Sequence, residues 1–321
     1  MPSGKPSKNP QFKVWHLGAI TAVLFLEVLV AAGADYYIQK DTDHRFESLV
    51  KAAYTKPEVL VQKVGPEVLG ATSPTTCSPC LKKSLNNQIA TFSAQAVLLG
   101  DLNSGETFAV KQEKALLPIA SLTKLMTALT VRDKLSLSDT IAVPQVCTTL
   151  SEGQQTLGLK AGQNYKVEDL LYGLLVRSGA DCACVLAYGF GGEDALVKAM
   201  NANAAALGLK ATHFQNTVGN DAIDNYSTAE DLFLLTQNFM KNPVLRKIAG
   251  STYFWGLRNT NELLFDLEGV TGVKTGYTPG AGECLVTTWA DRGREFIGVV
   301  LGSSSRFNEV ERLTQISRLI P

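Results

Sequence analysis

Apolar positions along this chain change their period twice. Residues 15–34, WHLGAITAVLFLEVLVAAGA, are apolar almost without interruption, and about 20 such residues suffice for a helix to cross a bilayer core. Lys5, Lys8 and Lys13 precede the run with no acid among them. That flank predicts a cytoplasmic tail over 1–14, a membrane anchor over 15–34 and export of everything that follows. A leader cleaved at Ala32-Gly33-Ala34 is the competing reading. Glu27 inside the run favours cleavage, because a charge in hydrocarbon is costly; the length favours an anchor. Both place the bulk of the protein outside the cytoplasm.

Residues 35–88 read as a stalk. YYIQKDTDHRFESLVKAAY has helical periodicity, whereas KPEVLVQKVGPEVLGATSPTTCSPC mixes prolines with Ser and Thr, as extended connectors do. From 89 to 321 the texture is that of a packed domain. AQAVLLGDL and TFAVKQEK, separated by NSGE, predict a β-hairpin. YKVEDLLYGLLV, DCACVLAYGF, EDALVKAMNANAAALG and TAEDLFLLTQNFMKN carry the helical period. GVTGVKTGYT, ECLVTTWADRG and REFIGVVLGSS return to strands, and a helix over 307–319 closes the chain. Strands at both ends with helices between predict an α/β fold of the α+β kind. Its central sheet is largely antiparallel and flanked by helices, with a helical subdomain formed by the middle of the chain.

Composition narrows the chemistry. Of 321 residues, 45% are hydrophobic, and 30 acidic side chains balance 30 basic ones. Zero net charge gives no electrostatic case for a nucleic-acid partner. His16, His44 and His213 are the only histidines, too few and too scattered for a His-based triad or a multi-His metal site. No metal and no cofactor are expected. Cys77 and Cys80 form CSPC in a Pro/Ser/Thr-rich stretch, where a local disulfide or two linker thiols is a plainer reading than zinc. Cys182 and Cys184 fall on an apolar helical stretch and read as small buried thiols; Cys147 and Cys284 stand alone.

IASLTKLMT, residues 119–127, places Ser121 three residues ahead of Lys124 where a helix begins. Residues three apart share a helix face, so the two can be a nucleophile and its base. Ser121 can equally be a plain N-cap, and Ser48 with Lys51 shows that the spacing also arises by chance. RSGAD then presents Ser178 in a break between helices, and VKTGYT presents Lys274, Thr275 and Gly276 on a strand. Ser-x-x-Lys, a second serine and Lys-Thr-Gly, in this order, make the three-part signature of penicillin-interacting serine acyl enzymes.

Residues 90–318 resemble the D-alanyl-D-alanine carboxypeptidases, the low-molecular-mass penicillin-binding proteins. The resemblance rests on IASLTKLMTAL, VEDLLYGLLVRSGAD, NDAIDNYSTAEDL, NTNELL and GVKTGYTPGAGECLVTTWADRGREFIGVVLGS. It implies a β-lactamase/DD-peptidase-like fold, peptidoglycan stem peptides as substrate and β-lactam antibiotics as inhibitors. Ser121 is then the nucleophile. Lys124 is its base, which must shed a proton it normally holds to a pKa of about 10.4; burial and the charge of Lys274 would lower that value. Ser178 relays the proton to the departing amine. Lys274 and Thr275 hold the substrate carboxylate, Gly276 lets the peptide lie on the strand, and the N–H groups of Ser121 and Tyr277 form the oxyanion hole.

Two departures stand out. The family usually carries Asn where this chain has Ala180, a loss of substrate contact worth about 1–3 kcal/mol, or roughly five- to 150-fold in rate. The C-terminal β-rich domain or anchor of many members is not seen after the closing helix, so residues 15–34 would do the tethering. The alternatives are a catalytically weak wall-binding or β-lactam-sensing module, a DD-endopeptidase and a β-lactamase. The Glu-x-x-Leu-Asn expected of class A β-lactamases is absent: EDLLYG at 168–173 ends differently.

Overall fold

The structure is a computed structural model that describes residues 79–150 and 154–321. The apolar run at 15–34, most of the stalk and Cys77 lie outside them. Among the described residues no helix is long and apolar enough to cross a membrane.

A five-stranded antiparallel sheet is the centre of the fold. Its strands are β1 (Ala96–Asp101), β2 (Thr107–Lys111), β7 (Val270–Thr278), β8 (Gly282–Asp291) and β9 (Arg294–Ser303), in spatial order β2-β1-β9-β8-β7. The early hairpin and the late meander therefore meet through β1 and β9, where Val97 pairs with Val300 and Leu99 with Gly298. Side chains alternate across a strand, and both faces of this sheet are covered. Ala96 and Leu98 enter one core, while Val97 and Leu99 enter the other. That is why AVLLG and FIGVVL read as unbroken apolar runs rather than as alternating ones.

One face carries helices α1 (Pro79–Ile89) and α9 (Arg306–Ser317). Leu85 and Ile89 pack there with Phe108, Trp289, Phe296 and Leu313. The globular packing thus takes in residues ahead of the boundary expected at 89. Glu309, buried on α9, accepts hydrogen bonds from Ser93 N, from Ala94 N at 3.2 Å and from Ser303 Oγ at 2.7 Å, joining the closing helix to the entry of β1.

The other face carries the helical part: α2 (Thr123–Lys134), α3 (Val167–Val176), α4 (Ala180–Phe190), α5 (Glu193–Ala206), α6 (Ala229–Met240) and α7 (Pro243–Ala249). Helix α2 is buried along most of its length and touches α3, α4, α5 and α6, so it is the axis of this layer. Thr228 caps α6 through its side chain, which accepts from Asp231 N at 3.0 Å; Asn242 caps α7, with Pro243 in its first turn. The small pairs β3 (Thr140–Ala142) with β4 (Asn164–Lys166) and β5 (Tyr253–Phe254) with β6 (Leu257–Arg258), and the one-turn helix α8 (Leu263–Asp266), fill the connections.

The cysteines correct one expectation. Cys184 is not a lone buried thiol but is disulfide-bonded to Cys147, 37 residues away. The 3-10 turn Gln145–Thr148 packs on α4 and brings Cys147 to it. Neither half of such a long-range pair has a local signature. Cys182 and Cys284 are buried free thiols, and burial raises both pKa values, that of Cys284 to about 11. Replacing Cys147 or Cys184 by Ser is expected to lower the unfolding free energy by about 2–4 kcal/mol, the usual effect of opening a closed loop of this size. Denaturant titration checks it: a change below about 0.5 kcal/mol would mean that the bond constrains little.

Candidate active site

Ser121 sits on the 3-10 turn Ala120–Leu122, two residues ahead of Thr123, where α2 begins. It is not a cap: Leu122 occupies the N-cap position and no side chain caps the helix. Ala120, just before it, has φ 47°, a backbone region that L-residues occupy at a cost. Two glycines let other segments approach this turn. A Cβ on Gly276 would stand 3.0 Å from Ile119 O and 3.1 Å from Ser121 N, and one on Gly219 only 1.8 Å from Ala120 O. Any side chain at either position would force the turn away from β7 or from the 216–221 loop.

Lys124, one helical turn on, is buried. Its Nζ donates to Ser121 Oγ at 2.8 Å and to Val218 O at 2.6 Å. Burial lowers its pKa from 10.5 to about 7, against a small opposing effect of Cys182. The expectation that Lys274 would share in this lowering is redistributed. Burial is the leading cause at both lysines, and the repulsion between them weighs on Lys274, whose pKa lies well below the ordinary value through burial, then Lys124, then Arg306. An uncharged amine this close to a hydroxyl can take its proton.

β7 is an edge strand, so its outer side is free of sheet partners and lies against the Ser121 turn. An exposed strand edge is a template for an added extended peptide. Lys274 and Thr275 are buried on it. Lys274 Nζ donates to Thr275 O at 2.8 Å, Thr275 Oγ1 donates to Thr260 Oγ1 at 2.7 Å, and Arg306 Nη1 donates to Gly276 O at 2.8 Å. Tyr277 follows, with its ring largely exposed. Ser121, Lys124, Ser178, Ala180 and Tyr277 line one cleft of about 100 Å³ together with Gln154, Val218 and Asn220. Ser178 reaches it from the break between α3 and α4, with φ 61°; Ala180 is the first residue of α4, its N–H donating to Gln155 O at 2.8 Å. Lys274, Thr275 and Gly276 do not line this cleft themselves; they directly precede Tyr277 and Thr278, the β7 residues that do. His213 is elsewhere, its Nδ1 2.6 Å from Asp224 O.

Several residues of this site had no signal in the sequence reading. Val218 contributes only a carbonyl, presented by a loop that the Asn216 side chain shapes by accepting from Val218 N, Gly219 N and Asn220 N at 3.2, 2.6 and 3.1 Å. Asp221 in the same loop accepts from Thr278 Oγ1 at 2.5 Å and Gly280 N at 3.0 Å, strapping the loop to the end of β7. Asp181, next to Ala180, is buried and accepts from Leu157, Gly158 and Leu159 N–H groups, pinning the 157–159 segment beside the cleft. Asp181 stood in the RSGAD stretch, and its acid beside a helix start was the available clue. Among the described residues no group of His, Cys, Asp and Glu is placed to hold a metal ion.

A family model described as D-alanyl-D-alanine carboxypeptidase matches residues 82–305. A D-alanyl-D-alanine carboxypeptidase of Mycobacterium tuberculosis is 37% identical over 214 residues, covering 64% of this chain and 73% of that protein. One of Bacillus subtilis is 31% identical over 244 residues, 71% of this chain and 61% of the relative, so the chain spans about three fifths of that longer protein. The crystal structure of a D-alanyl-D-alanine carboxypeptidase from M. tuberculosis H37Rv aligns with a TM-score of 0.67 at 31% identity, over 72% of this chain and 92% of that one. With the match running across the sheet, the helical layer and every wall of the cleft, the chain belongs to the D-alanyl-D-alanine carboxypeptidase family.

Proposed function

We propose that this protein is a serine-type D-alanyl-D-alanine carboxypeptidase that releases the terminal D-alanine of peptidoglycan stem peptides through an acyl-Ser121 intermediate. The observation that carries the reading is the buried Lys124 amine, 2.8 Å from Ser121 Oγ and with its pKa near neutrality. The substrate peptide adds along the free edge of β7, its carboxylate beside Lys274 and Thr275. That carboxylate supplies a counter-charge favouring the charged form of Lys274, which burial and then Lys124 and Arg306 disfavour.

Lys124 then takes the Ser121 hydroxyl proton as Oγ attacks the carbonyl carbon of the penultimate residue. The oxyanion is held by the N–H groups of Ser121 and Tyr277; one such donor is typically worth roughly 3–4 kcal/mol. Collapse breaks the C–N bond, and the proton on Lys124 passes by way of Ser178 to the departing amine of D-alanine. Water, deprotonated by Lys124, cleaves the acyl ester and returns the proton to Ser121. A β-lactam acylates Ser121 by the same first step, but its amine stays tethered within the acyl group and deacylation is slow. The intact Ser121–Lys124 pair weighs against a purely wall-binding module despite Ala180. The apolar run at 15–34 behind a lysine-bearing start supports a tether to the membrane, with the catalytic part on its outer side.

A fluorescent penicillin is expected to label the wild-type protein covalently and to leave Ser121→Ala unlabelled; equal labelling of both would sink the assignment of the nucleophile. The acylation rate is expected to follow the uncharged fraction of Lys124. It falls about tenfold per pH unit below about 7 and levels off above. A second, descending limb marks loss of the Lys274 proton, below the ordinary lysine value of 10.5. Stopped-flow acylation across pH 5–10 tests both limbs, and a flat profile would exclude Lys124 as the base. Intact mass of the protein from the membrane fraction is expected to include residues 1–34; a mass beginning after Ala34 would establish a cleaved leader instead.

A further inference from the structure

Two segments far apart in the chain carry the groups that the acyl transfer needs beside Ser121. The 216–221 loop presents Val218 O, which accepts from Lys124 Nζ at 2.6 Å. The strand β7 carries Tyr277, whose N–H is the oxyanion donor in the reading above, and it ends at Thr278. Val218, Gly219 and Asn220 line the cleft from the loop, and Tyr277 and Thr278 line it from the strand. Nothing in the local structure of either segment sets the distance between them.

Asp221, the residue after Asn220, spans that distance. Its two oxygens reach separate groups at the end of the strand: Oδ1 accepts from Thr278 Oγ1 at 2.5 Å and Oδ2 from Gly280 N at 3.0 Å. The Thr278 hydroxyl is fixed on both sides, since it also accepts from Ala281 N at 3.0 Å. A Cβ on Gly280 would stand 2.8 Å from Asp221 Oδ2, so the turn into β8 carries glycine where the carboxylate arrives. Neither ion pair among the described residues involves Asp221; its printed partners are a hydroxyl and a backbone N–H. Hydrogen bonds to a carboxylate are short and directional, and these two start three residues from Val218 and end one residue from Tyr277.

We propose that Asp221 is a positioning residue for the acyl transfer: clasped to Thr278 and Gly280, its carboxylate sets the distance between the base held by the 216–221 loop and the oxyanion donor carried by β7. The inference rests on the carboxypeptidase reading above, which gives Lys124 and Tyr277 those roles. Asp221 acts through them and not on the substrate. Without the clasp the loop and the strand end drift apart, Val218 O leaves the Lys124 amine and the Tyr277 N–H leaves the oxyanion. A misplacement of about 1 Å at reacting groups can cost on the order of 100-fold in rate. Lys274 and Thr275 are held independently, through Thr260 and through the bond from Arg306 to Gly276 O. Capture of the substrate carboxylate therefore survives the loss, and the defect falls on turnover.

The test measures kcat and KM for D-alanine release from a peptide ending in D-Ala-D-Ala, together with the pH profile of penicillin acylation. It compares the full chain with Asp221→Ala, Thr278→Val, the double variant and Thr278→Ser. Either single loss is expected to lower kcat by roughly ten- to 100-fold while KM stays within about twofold. The double variant is expected to fall no further than the worse single one, as the two ends of one contact do. Thr278→Ser, which keeps the hydroxyl, is expected to stay near wild type. In Thr278→Val the ascending limb of acylation is expected to move above about 7, toward the ordinary lysine value of 10.5, as water reaches the Lys124 amine. That variant alters no charge and leaves Cys182 and Lys274, which interact electrostatically with Lys124, in place. If Asp221→Ala fails to fold, the Val and Ser variants at 278 carry the same comparison. An unchanged kcat, losses that multiply in the double variant, a defect confined to KM or an unmoved limb would each overturn the clasp while leaving the carboxypeptidase reading intact. A wild-type protein that releases no D-alanine and takes no penicillin label would overturn that reading and the clasp with it.

Discussion

A buried ammonium group with only a hydroxyl and a peptide carbonyl to accept its hydrogen bonds gives up its proton far more readily than one in water, because they do not replace its lost hydration. Lys124 is held in that condition, and three separate parts of the chain are needed to hold it. Helix α2 carries it on the same face as Ser121. The 216–221 loop offers Val218 O to its amine, and β7 lies against the turn that carries Ser121. A lysine on a solvated helix surface with the same spacing would stay charged, and the serine beside it would be inert.

That requirement explains features that would otherwise look unrelated. The Ser121 turn must touch both β7 and the loop, so both carry glycine at the point of contact, Gly276 and Gly219. The loop must present a carbonyl inward, so Asn216 collects its N–H groups and Thr127 on α2 donates to Thr217 O at 2.8 Å. The strand edge must stay unpaired to receive a peptide yet not drift, and Asp221 anchors its end from across the cleft. The sheet behind is rigid because both of its faces are packed. Position at the reacting atoms is therefore inherited from the core.

What could be read in the sequence was what repeats locally. The hairpin at 96–111, the three late strands and the helices of the middle segment follow from period and turn residues. Ser121, Lys124, Ser178 and Lys274-Thr275-Gly276 stand out because these residue types, in this order, form a recognisable pattern along the chain. Val218 does not, since a carbonyl has no residue signature. Asp181 and Asp221 read as ordinary acids beside a helix start and in a loop, because their partners are N–H and hydroxyl groups far along the chain. Cys147 and Cys184 were missed for the same reason: their pairing depends on how a 3-10 turn lies on α4. Ser121 as an N-cap was a sound local inference that tertiary packing replaced.

Helices α1 and α9 share the outer face of the sheet, whereas Ser121 opens on the side of the inner one. Pro79, where the described residues begin, therefore starts a helix on the face of the sheet away from Ser121. Leu85 and Ile89 seat α1 in the outer core with Phe108 and Phe296, so a change at this end of the domain must pass through the sheet before it can reach the Ser121 turn.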